Sequence, residues 1–197
     1  MKTFWFDLET SGLDPARHGI ISLAYQVEID GHTATSGSLF SNCRGKEIED
    51  SALKVNGYTR EQIEKFLHPP AMYEELADLF SRFVDKFDRD DKFYVGGYNV
   101  ASFDMPFLRQ LWKDNGDAYF GSWFYYGAID PGALLPVLRY AGVELPYMPS
   151  SKLTDVARAL GAPAALLDHA HDSQADLTLT RFVTARLVGL IHPVATR

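Results

Sequence analysis

The pattern of apolar and polar positions predicts that the chain begins with strands. Residues 1–9 are rich in aromatic residues, and this run ends in two carboxylates separated by one leucine. Residues 19–29 and 32–40 also have strand patterns, and Asp30-Gly31 between them is a hairpin turn signal. The fold is therefore expected to open as an antiparallel meander.

The rest of the chain alternates between helical and strand patterns. Residues 92–99 predict a buried strand, and the aromatic segment 119–129 predicts a final one. Apolar residues recur at helical spacing from 72 to 87, and a shorter helix that opens at Thr59 is expected to end at Pro69-Pro70. The other predicted helices cover residues 47–55, 103–115, 131–141, 151–160 and 174–191. Strands first, then helices alternating with strands, predict an α/β fold with a mixed five-stranded sheet flanked by helices.

Composition narrows the class of protein. A length of 197 residues, with 46% hydrophobic and 23% charged residues, suits a single domain over residues 1–197. Cys43 is the only cysteine, which excludes an internal disulfide and favours a reducing compartment, so we expect a cytoplasmic protein. Asp7 and Glu9 interrupt the first apolar stretch too early for a signal peptide, and no run reaches the ~20 apolar residues of a membrane helix. No membrane partner is expected.

The formal net charge of −7 argues against broad, sequence-independent binding of nucleic acid through a basic surface. A nuclease that holds a few nucleotides through metal ions can nevertheless be acidic, because its metal ligands supply part of the negative charge. Charge alone therefore leaves this class of enzyme open.

The first strand brings two acids to one face. Side chains alternate along a strand, so Asp7 and Glu9 point the same way while Leu8 points to the other face. Like charges side by side are costly unless a cation bridges them, and a divalent metal with oxygen ligands is the usual solution. Taken alone, the pair is more often a polar strand end. However, Asp104 and Asp176 also fall at helix starts, and strand ends and helix N-termini meet in α/β sheets. We therefore expect all four acids to converge.

The segment before the last helix contains a candidate base. Ser173 and Asp176 have the Ser-x-x-acid spacing of a helix start, with Ser173 as the N-cap. His171 precedes the cap on a loop, where its imidazole could approach the acids without binding a metal. The alternative is that Asp176 only caps its helix and His171 is an exposed loop residue.

Three segments together resemble the motifs of the DEDDh exonuclease family, which includes the proofreading ε subunit of bacterial DNA polymerase III, ribonuclease T and oligoribonuclease. The segments are FDLETSG at 6–12, YNVASFD at 98–104 and HDSQAD at 171–176. Residues 54–59 and 152–157 also resemble intervening segments of the ε-like branch. The resemblance covers nearly the whole chain in the right order.

The resemblance implies a ribonuclease H-like fold and 3′-to-5′ hydrolysis of nucleic acid with two divalent metal ions, Mg²⁺ or Mn²⁺. It implies that Asp7 bridges both ions, that Glu9 and Asp176 hold one ion, and that Asp104 helps to hold the other, largely through water. His171 would be the general base. The implied substrate-binding residues are Thr10, Ser11 and Gly12 through backbone donors, Leu13 as a wedge against the last base, and Leu8, Asn99 and Phe103 at the border of the pocket.

The leading interpretation is an exonuclease that releases nucleoside monophosphates from the 3′ end of single-stranded or frayed DNA. An RNA-trimming enzyme remains the alternative, because no residue reports on a 2′-hydroxyl contact. A non-catalytic nucleic-acid-binding module is less favoured, since all five catalytic positions are present. A DNA polymerase is the protein partner that the resemblance suggests, although only residues 192–197 follow the last predicted helix, where polymerase-associated members often carry a tail.

Overall fold

The computed structural model describes residues 1–168 and 173–191, and within these ranges a mixed sheet of five strands forms the centre. The strands are β1 (Lys2–Thr10), β2 (Ile20–Ile29), β3 (His32–Phe40), β4 (Phe93–Gly96) and β5 (Phe124–Ile129). They lie in the order β3-β2-β1-β4-β5. The first three are antiparallel, whereas β4 is parallel to β1 and β5 is parallel to β4. The predicted sheet is therefore confirmed.

Helices lie along the chain between and after these strands. They are α1 (Asp50–Asn56), α2 (Arg60–Ile63), α3 (Pro69–Ser81), α4 (Asp104–Asp114), α5 (Pro131–Tyr140), α6 (Leu153–Ala159), α7 (Ala164–Leu167) and α8 (Ser173–Ile191). A short 3₁₀ turn, Phe120–Ser122, precedes β5. In the described part of the chain, no helix has the length and apolar character needed to cross a membrane.

Strand β1 is held from both faces of the sheet. Phe4 and Phe6 are fully buried on one face, where the ring centroid of Phe4 lies 4.8 Å from that of Phe80 on α3. Trp5 points to the other face and packs with Leu177 of α8. Burial on both faces makes β1 a rigid element. The acids at its carboxyl end are therefore fixed by the core.

The helix boundaries differ most from the prediction at the two ends of α3. Pro69 and Pro70 begin α3 instead of ending the preceding helix, because proline suits the first helical positions, where no intrahelical N–H bond is needed. Helix α3 then ends at Ser81, six residues earlier than predicted from the sequence pattern. Val84 is buried beyond the helix end, whereas the Phe87 side chain is 88% exposed. The helical spacing of these two apolar residues was therefore coincidental.

Candidate active site

Three carboxylates gather at the carboxyl end of β1. Asp7 and Glu9 project from the same face of the strand, and Asp176 comes from the first turn of α8. Each can offer an oxygen atom such that all these atoms lie within 4.8 Å of one another. Helix α8 is positioned for this by its contact with β1, where Leu177 packs against Trp5. Acids that are 167 or more residues apart in sequence are thus brought to one place.

Asp104 joins this cluster from the start of α4. Its side chain is buried, and its Oδ1 accepts a hydrogen bond of 3.1 Å from the backbone N–H of Leu8. Leu8 lies between Asp7 and Glu9, so Asp104 is tied to the same short stretch of β1. The structure therefore brings the four acids together.

Burial and mutual repulsion raise the pKa values of two acids of the cluster, Asp7 and Asp104. Burial raises the pKa of Asp104 to about 8, with smaller contributions in the same direction from Asp130 and Glu9, while backbone hydrogen bonds oppose the shift. Burial also raises the pKa of Asp7 well above its usual range, and the charges of Asp104, Asp176 and Glu9 add to this. A cation among these groups would favour their ionised forms.

The donor set fits a hard divalent cation. Carboxylate oxygens are the ligands that Mg²⁺ and Mn²⁺ prefer in proteins, and three of the four acids have oxygens close enough to share one ion. No cysteine or histidine of the described residues takes part in this group, which makes a structural zinc site a poor fit. The chemistry of the site is therefore that of a hard-metal centre.

A pocket of about 300 Å³ adjoins the carboxylates. Five of the residues predicted to bind substrate line it: Leu8, Thr10, Gly12, Leu13 and Phe103. The other wall comes from α1 and the residues before it, including Glu49, Ser51, Ala52, Val55 and Asn56, which the prediction did not include. The resemblance of residues 54–59 to a family segment was the signal that pointed to this wall. Leu13 and Val55 are exposed aliphatic side chains, 78% and 65% respectively.

The loop after β1 packs tightly against His18, with no room for a side chain at residue 12. A Cβ atom on Gly12 would lie 2.4 Å from the ring of His18, so a side chain at residue 12 would push the two apart. His18 is buried, its Nδ1 lies 3.0 Å from the backbone N of Asp14, and its Nε2 lies 3.1 Å from a carboxylate oxygen of Glu49. Neither His18 nor Glu49 was predicted from sequence, because their contacts are made only when the loop and the segment before α1 meet.

Ser11, which the resemblance predicts as a backbone donor to substrate, is hydrogen-bonded within its loop. Its N–H donates to the carbonyl of Gly19 at 2.9 Å, and its hydroxyl donates to the carbonyl of Glu47 at 2.6 Å. The residue is completely buried. Ser11 therefore holds the loop together, while Thr10 and Gly12 on either side of it line the pocket.

Asn99 lies at the turn after β4 and does not line the pocket. Its φ of 57° is in the left-handed region, and its side-chain Oδ1 accepts a hydrogen bond from Ser102. The backbone N–H of Asn99 donates to Asp130, which also caps the N-terminus of α5. Its role is therefore to shape the turn that leads to Asp104, with Asp130 as an additional partner that the prediction had not included.

The segment that contains His171 lies outside the described residues, so the predicted base has no structural description here. Helix α8 begins at Ser173 itself, whereas the prediction made Ser173 the residue before the first helical one. This difference of one position is within the usual spread of helix boundaries. Asp176 remains in the first turn under either assignment.

A mixed five-stranded sheet with carboxylates at the end of its central strand and on two helix starts defines a nuclease of the ribonuclease H-like class. The model of the exonuclease family that is named after ribonuclease T matches residues 4–180, and this chain belongs to that family. The predicted resemblance to DEDDh exonucleases is confirmed.

Solved structures of exonuclease I are similar to this chain over nearly its whole length. The zinc-bound form of the E. coli enzyme with single-stranded DNA is 20% identical with a TM-score of 0.75, and the match covers 98% of this chain and 41% of that one. The E. coli enzyme with a dT13 oligonucleotide is 19% identical with a TM-score of 0.75, and the match covers 98% of this chain and 42% of that one. The exonuclease I complex with SSB-Ct is 19% identical with a TM-score of 0.74, and the match covers 98% of this chain and 42% of that one.

TM-scores of 0.74 and 0.75 show that the fold is shared, and at 19–20% identity these matches show the fold alone. The chain spans about two-fifths of the length of the exonuclease I structures it matches. No protein in the curated collection of sequences matches this chain.

Proposed function

We propose that this chain is a metal-dependent 3′-to-5′ exonuclease that releases nucleoside monophosphates from single-stranded or frayed DNA ends. The observation that carries the proposal is the convergence of oxygen atoms from Asp7, Glu9 and Asp176 within 4.8 Å in a chain of the exonuclease family. Buried Asp104, bonded to Leu8, completes a set of four carboxylates. Four formal negative charges balance two divalent ions, so two Mg²⁺ or Mn²⁺ ions are the cofactor that this set fits.

The four acids have distinct roles in this proposal. Asp7 would be a ligand of both ions, Glu9 and Asp176 would hold one of them, and Asp104 would help to hold the other. When bound, such a pair of ions stabilises the attacking and leaving oxygens of a phosphodiester and lowers the pKa of a water molecule. The carboxylates must be ionised to act as ligands, and the raised pKa values of Asp7 and Asp104 mean that ionisation of these two groups and metal binding occur together.

The proton from the attacking water is accepted by His171. An imidazole with an ordinary pKa of about 6.5 can accept a proton near neutral pH, and a positioned base of this kind contributes typically about 10²–10⁴-fold to a rate. This role rests on the sequence motif at 171–176. The rate is therefore expected to fall in acid.

The 3′-terminal nucleoside occupies the 300 Å³ pocket beside the acids. Leu13 and Val55 supply apolar contacts to the base, and the backbone around Thr10 and Gly12 lies near the terminal hydroxyl. Leu8 and Phe103 complete the wall next to the carboxylates. The position of this pocket next to the acids supports the proposal that one nucleotide is removed at a time.

DNA is the proposed substrate because two of the similar exonuclease I structures are complexes with single-stranded DNA or a dT13 oligonucleotide, although they share only the fold at 19–20% identity. RNA is the alternative, since the family model carries the name of ribonuclease T. A DNA polymerase partner and a cytoplasmic location stay predictions from the sequence.

The test is digestion of matched DNA and RNA oligonucleotides of one sequence, labelled at the 5′ or the 3′ end, with Mg²⁺, Mn²⁺ or chelator. We expect a 3′ label to be released at once as a mononucleotide and a 5′ label to give a descending ladder, faster on DNA, with no reaction in chelator. Asp7→Asn should abolish the reaction. His171→Gln should slow it by about 10²-fold or more and remove the acid limb of the pH profile.

Asp78→Asn is the matched control, because Asp78 is an exposed acid on α3 that pairs with Arg82 and belongs neither to the acid cluster nor to the adjoining pocket. It should retain full activity. Faster loss of RNA would replace DNA as the proposed substrate. Absence of hydrolysis by the wild-type protein with either metal, together with retained binding of oligonucleotides, would favour the non-catalytic binding module instead.

A further inference from the structure

A second groove, of about 600 Å³, lies on the other flank of α4, between this helix and the edge strand β5. Its walls include Met105 and Arg109 from α4, and Phe124 and Tyr126 from β5. Phe103, the residue before α4, lines the pocket proposed for the terminal nucleoside, and that pocket shares no lining residue with the groove. Met105, two residues later and in the first turn of α4, lines the groove instead. The groove and the pocket therefore lie on different sides of one helix start.

The charge of the groove is opposite to that of the protein. Arg89, Lys92 and Arg109 line it, and no acidic side chain among the described residues does so. Within that part of the chain, none of the three cations forms an ion pair with a carboxylate. Lys92 Nζ donates a hydrogen bond of 2.8 Å to the carbonyl of Gly121, which leaves its charge without a carboxylate partner. In a chain with a net charge of −7, three cations of this kind along one groove favour an anionic ligand.

Most acidic side chains of the neighbouring loop, residues 85–91, form hydrogen bonds or an ion pair within the protein. Asp91 pairs with Lys2 and accepts the backbone N–H of Asp85 at 3.0 Å. Asp85 accepts the N–H of Phe87 at 3.0 Å, and Asp88 accepts that of Asp90 at 2.9 Å. The side chain of Asp90 is the acid of this loop for which no such bond is described. These carboxylates keep their charge, but none of them lines the groove, where the charged side chains are the three cations.

Aromatic rings are interleaved with these cations. The guanidinium of Arg109 lies 4.7 Å from the ring centroid of Phe120. Tyr126 is fully exposed, and Tyr125 packs on Tyr94 with ring centroids 4.6 Å apart. Rings and cations along one groove are typical of surfaces that bind single-stranded nucleic acid, because every base has a face that can stack.

The exposure of Tyr126 is caused by a bulge in β5. Phe93 pairs with Phe124 and Val95 with Ala128, so three residues of β5 lie opposite one residue of β4. Gly127, with a φ of 102°, makes this possible. Bulges twist an edge strand away from further pairing. The edge is therefore poorly suited to binding a peptide as an added strand.

The groove begins beside the carboxylates. Ala101 and Met105, which line it, stand three residues before and one residue after Asp104. If the terminal nucleoside fills the pocket on the Phe103 side, the scissile phosphate lies over the acids. The nucleotides before it must then leave on the side away from that pocket.

We propose that the groove between α4 and β5 binds the single-stranded substrate upstream of its 3′-terminal nucleotides. The cations contact phosphates and Tyr126 stacks on a base. This inference rests on the proposed exonuclease function and adds to it a length preference: substrates long enough to reach the groove are hydrolysed more efficiently than short ones.

The test compares the triple variant Arg89→Gln/Lys92→Gln/Tyr126→Ser with the wild type on oligothymidylates of twelve and three nucleotides. We expect the ratio of kcat/KM for the long substrate to that for the short one to fall about tenfold, since one stacked base alone is worth about 1–3 kcal/mol. The slope of log kcat/KM for the long substrate against log salt should become shallower by about 1.4, or about 0.7 for each lost phosphate contact.

The matched control is Lys65→Gln/Arg186→Gln/Tyr140→Ser, which removes the same number of charges and one 95% exposed tyrosine elsewhere on the surface. Its length ratio and salt slope should equal those of the wild type. An unchanged ratio and slope in the groove variant would overturn the inference and leave the groove as a docking surface for an acidic protein.

The outcomes also separate this inference from the proposed function. If the wild-type chain hydrolyses neither oligonucleotide, the proposed function fails, and the groove is then tested by fluorescence anisotropy with the labelled twelve-nucleotide strand. Weaker binding by the groove variant than by the control supports the groove in that case, and equal binding overturns it.

Discussion

The backbone N–H of Leu8 donates a 3.1 Å hydrogen bond to Oδ1 of Asp104, a residue 96 positions later in the chain. Leu8 stands between the two acids of β1, and Asp104 is the first residue of α4. This bond therefore joins the first two acidic motifs directly, through a backbone group and without a metal. It holds Asp104 in a buried position where its ionised form is disfavoured.

Asp104→Asn should stabilise the metal-free protein at alkaline pH while it lowers activity. The pKa of Asp104 is about 8 in the folded protein, above its ordinary value of 3.8. The folded state therefore holds a proton that the unfolded chain has lost between these values, and the free energy of unfolding falls as pH rises through that window. Asparagine can keep the bond to Leu8 but cannot ionise.

We expect the melting temperature of Asp104→Asn in chelator to exceed that of the wild type by at least about 2 °C at pH 8.5, with a smaller difference at pH 5. Its activity with metal should fall about 100-fold or more, because a metal ligand is lost. Differential scanning fluorimetry across pH measures the first effect. A variant that melts lower than the wild type at every pH would contradict the charge argument.

Metal binding should become stronger as pH rises, whereas the stability of the metal-free protein falls. The raised pKa values of Asp7 and Asp104 mean that a divalent ion must displace protons from the cluster below about pH 8. Mn²⁺ should therefore raise the melting temperature more at pH 8.5 than at pH 6. At a concentration about 100-fold above its dissociation constant the gain is ~2.7 kcal/mol, or roughly 5–10 °C.

Asp7→Asn should lose most of this Mn²⁺-dependent gain, whereas Asp78→Asn should keep it. Titration of the melting temperature with Mn²⁺ at the two pH values provides the measurement. Equal shifts in Asp7→Asn and the wild type would mean that the ion binds elsewhere.

Gly12→Ala should damage the pocket more than the fold. The new methyl group would lie 2.4 Å from the buried ring of His18, so the loop that lines the pocket must move. We expect kcat/KM on single-stranded DNA to fall at least about tenfold, since displacements of about 1 Å near a reacting group have large effects on rate. Steady-state kinetics on a short oligonucleotide measure the loss.

Gly189→Ala is the control for this change. Gly189 lies within α8, and a Cβ atom there would meet nothing within 4 Å. It should leave kcat/KM unchanged and stabilise the protein by roughly 0.5–1 kcal/mol, because alanine favours the helix interior. Wild-type kinetics for Gly12→Ala would show that the contact with His18 does not position the loop.

Leu13→Ala and Val55→Ala should weaken substrate binding with little effect on stability. Both side chains are mostly exposed and both line the pocket, so their apolar surface is buried only when a nucleotide is present. We expect KM to rise about 3- to 10-fold for each, with melting temperatures within about 1 °C of the wild type.

Val137→Ala, at a 58% exposed position on α5, is the comparison for these two variants. It should change neither KM nor the melting temperature. If Leu13→Ala and Val55→Ala also leave KM unchanged, the terminal nucleoside does not occupy this pocket.

Local sequence signals determined most of the architecture. The strand periods, the Asp30-Gly31 turn and the helix patterns predicted the strands and most helices, because these depend on residues that are near one another in the chain. The same signals failed at Pro69-Pro70, since proline is compatible with both the residue after a helix and the first positions of the next one. Which of these applied depended on how α3 packs against Phe4 and the rest of the core.

The sequence by itself determined which acids were available and that Asp7 and Glu9 share a face, because alternation along a strand is a local property. Only the tertiary structure decided that the backbone N–H of Ser11 is hydrogen-bonded within its loop and that α1 forms a wall of the pocket. It also decided that Arg89 and Arg109 border one groove with Tyr126. Such contacts join residues far apart in the chain. Their distances follow from the packing of helices on the sheet, which no local pattern encodes.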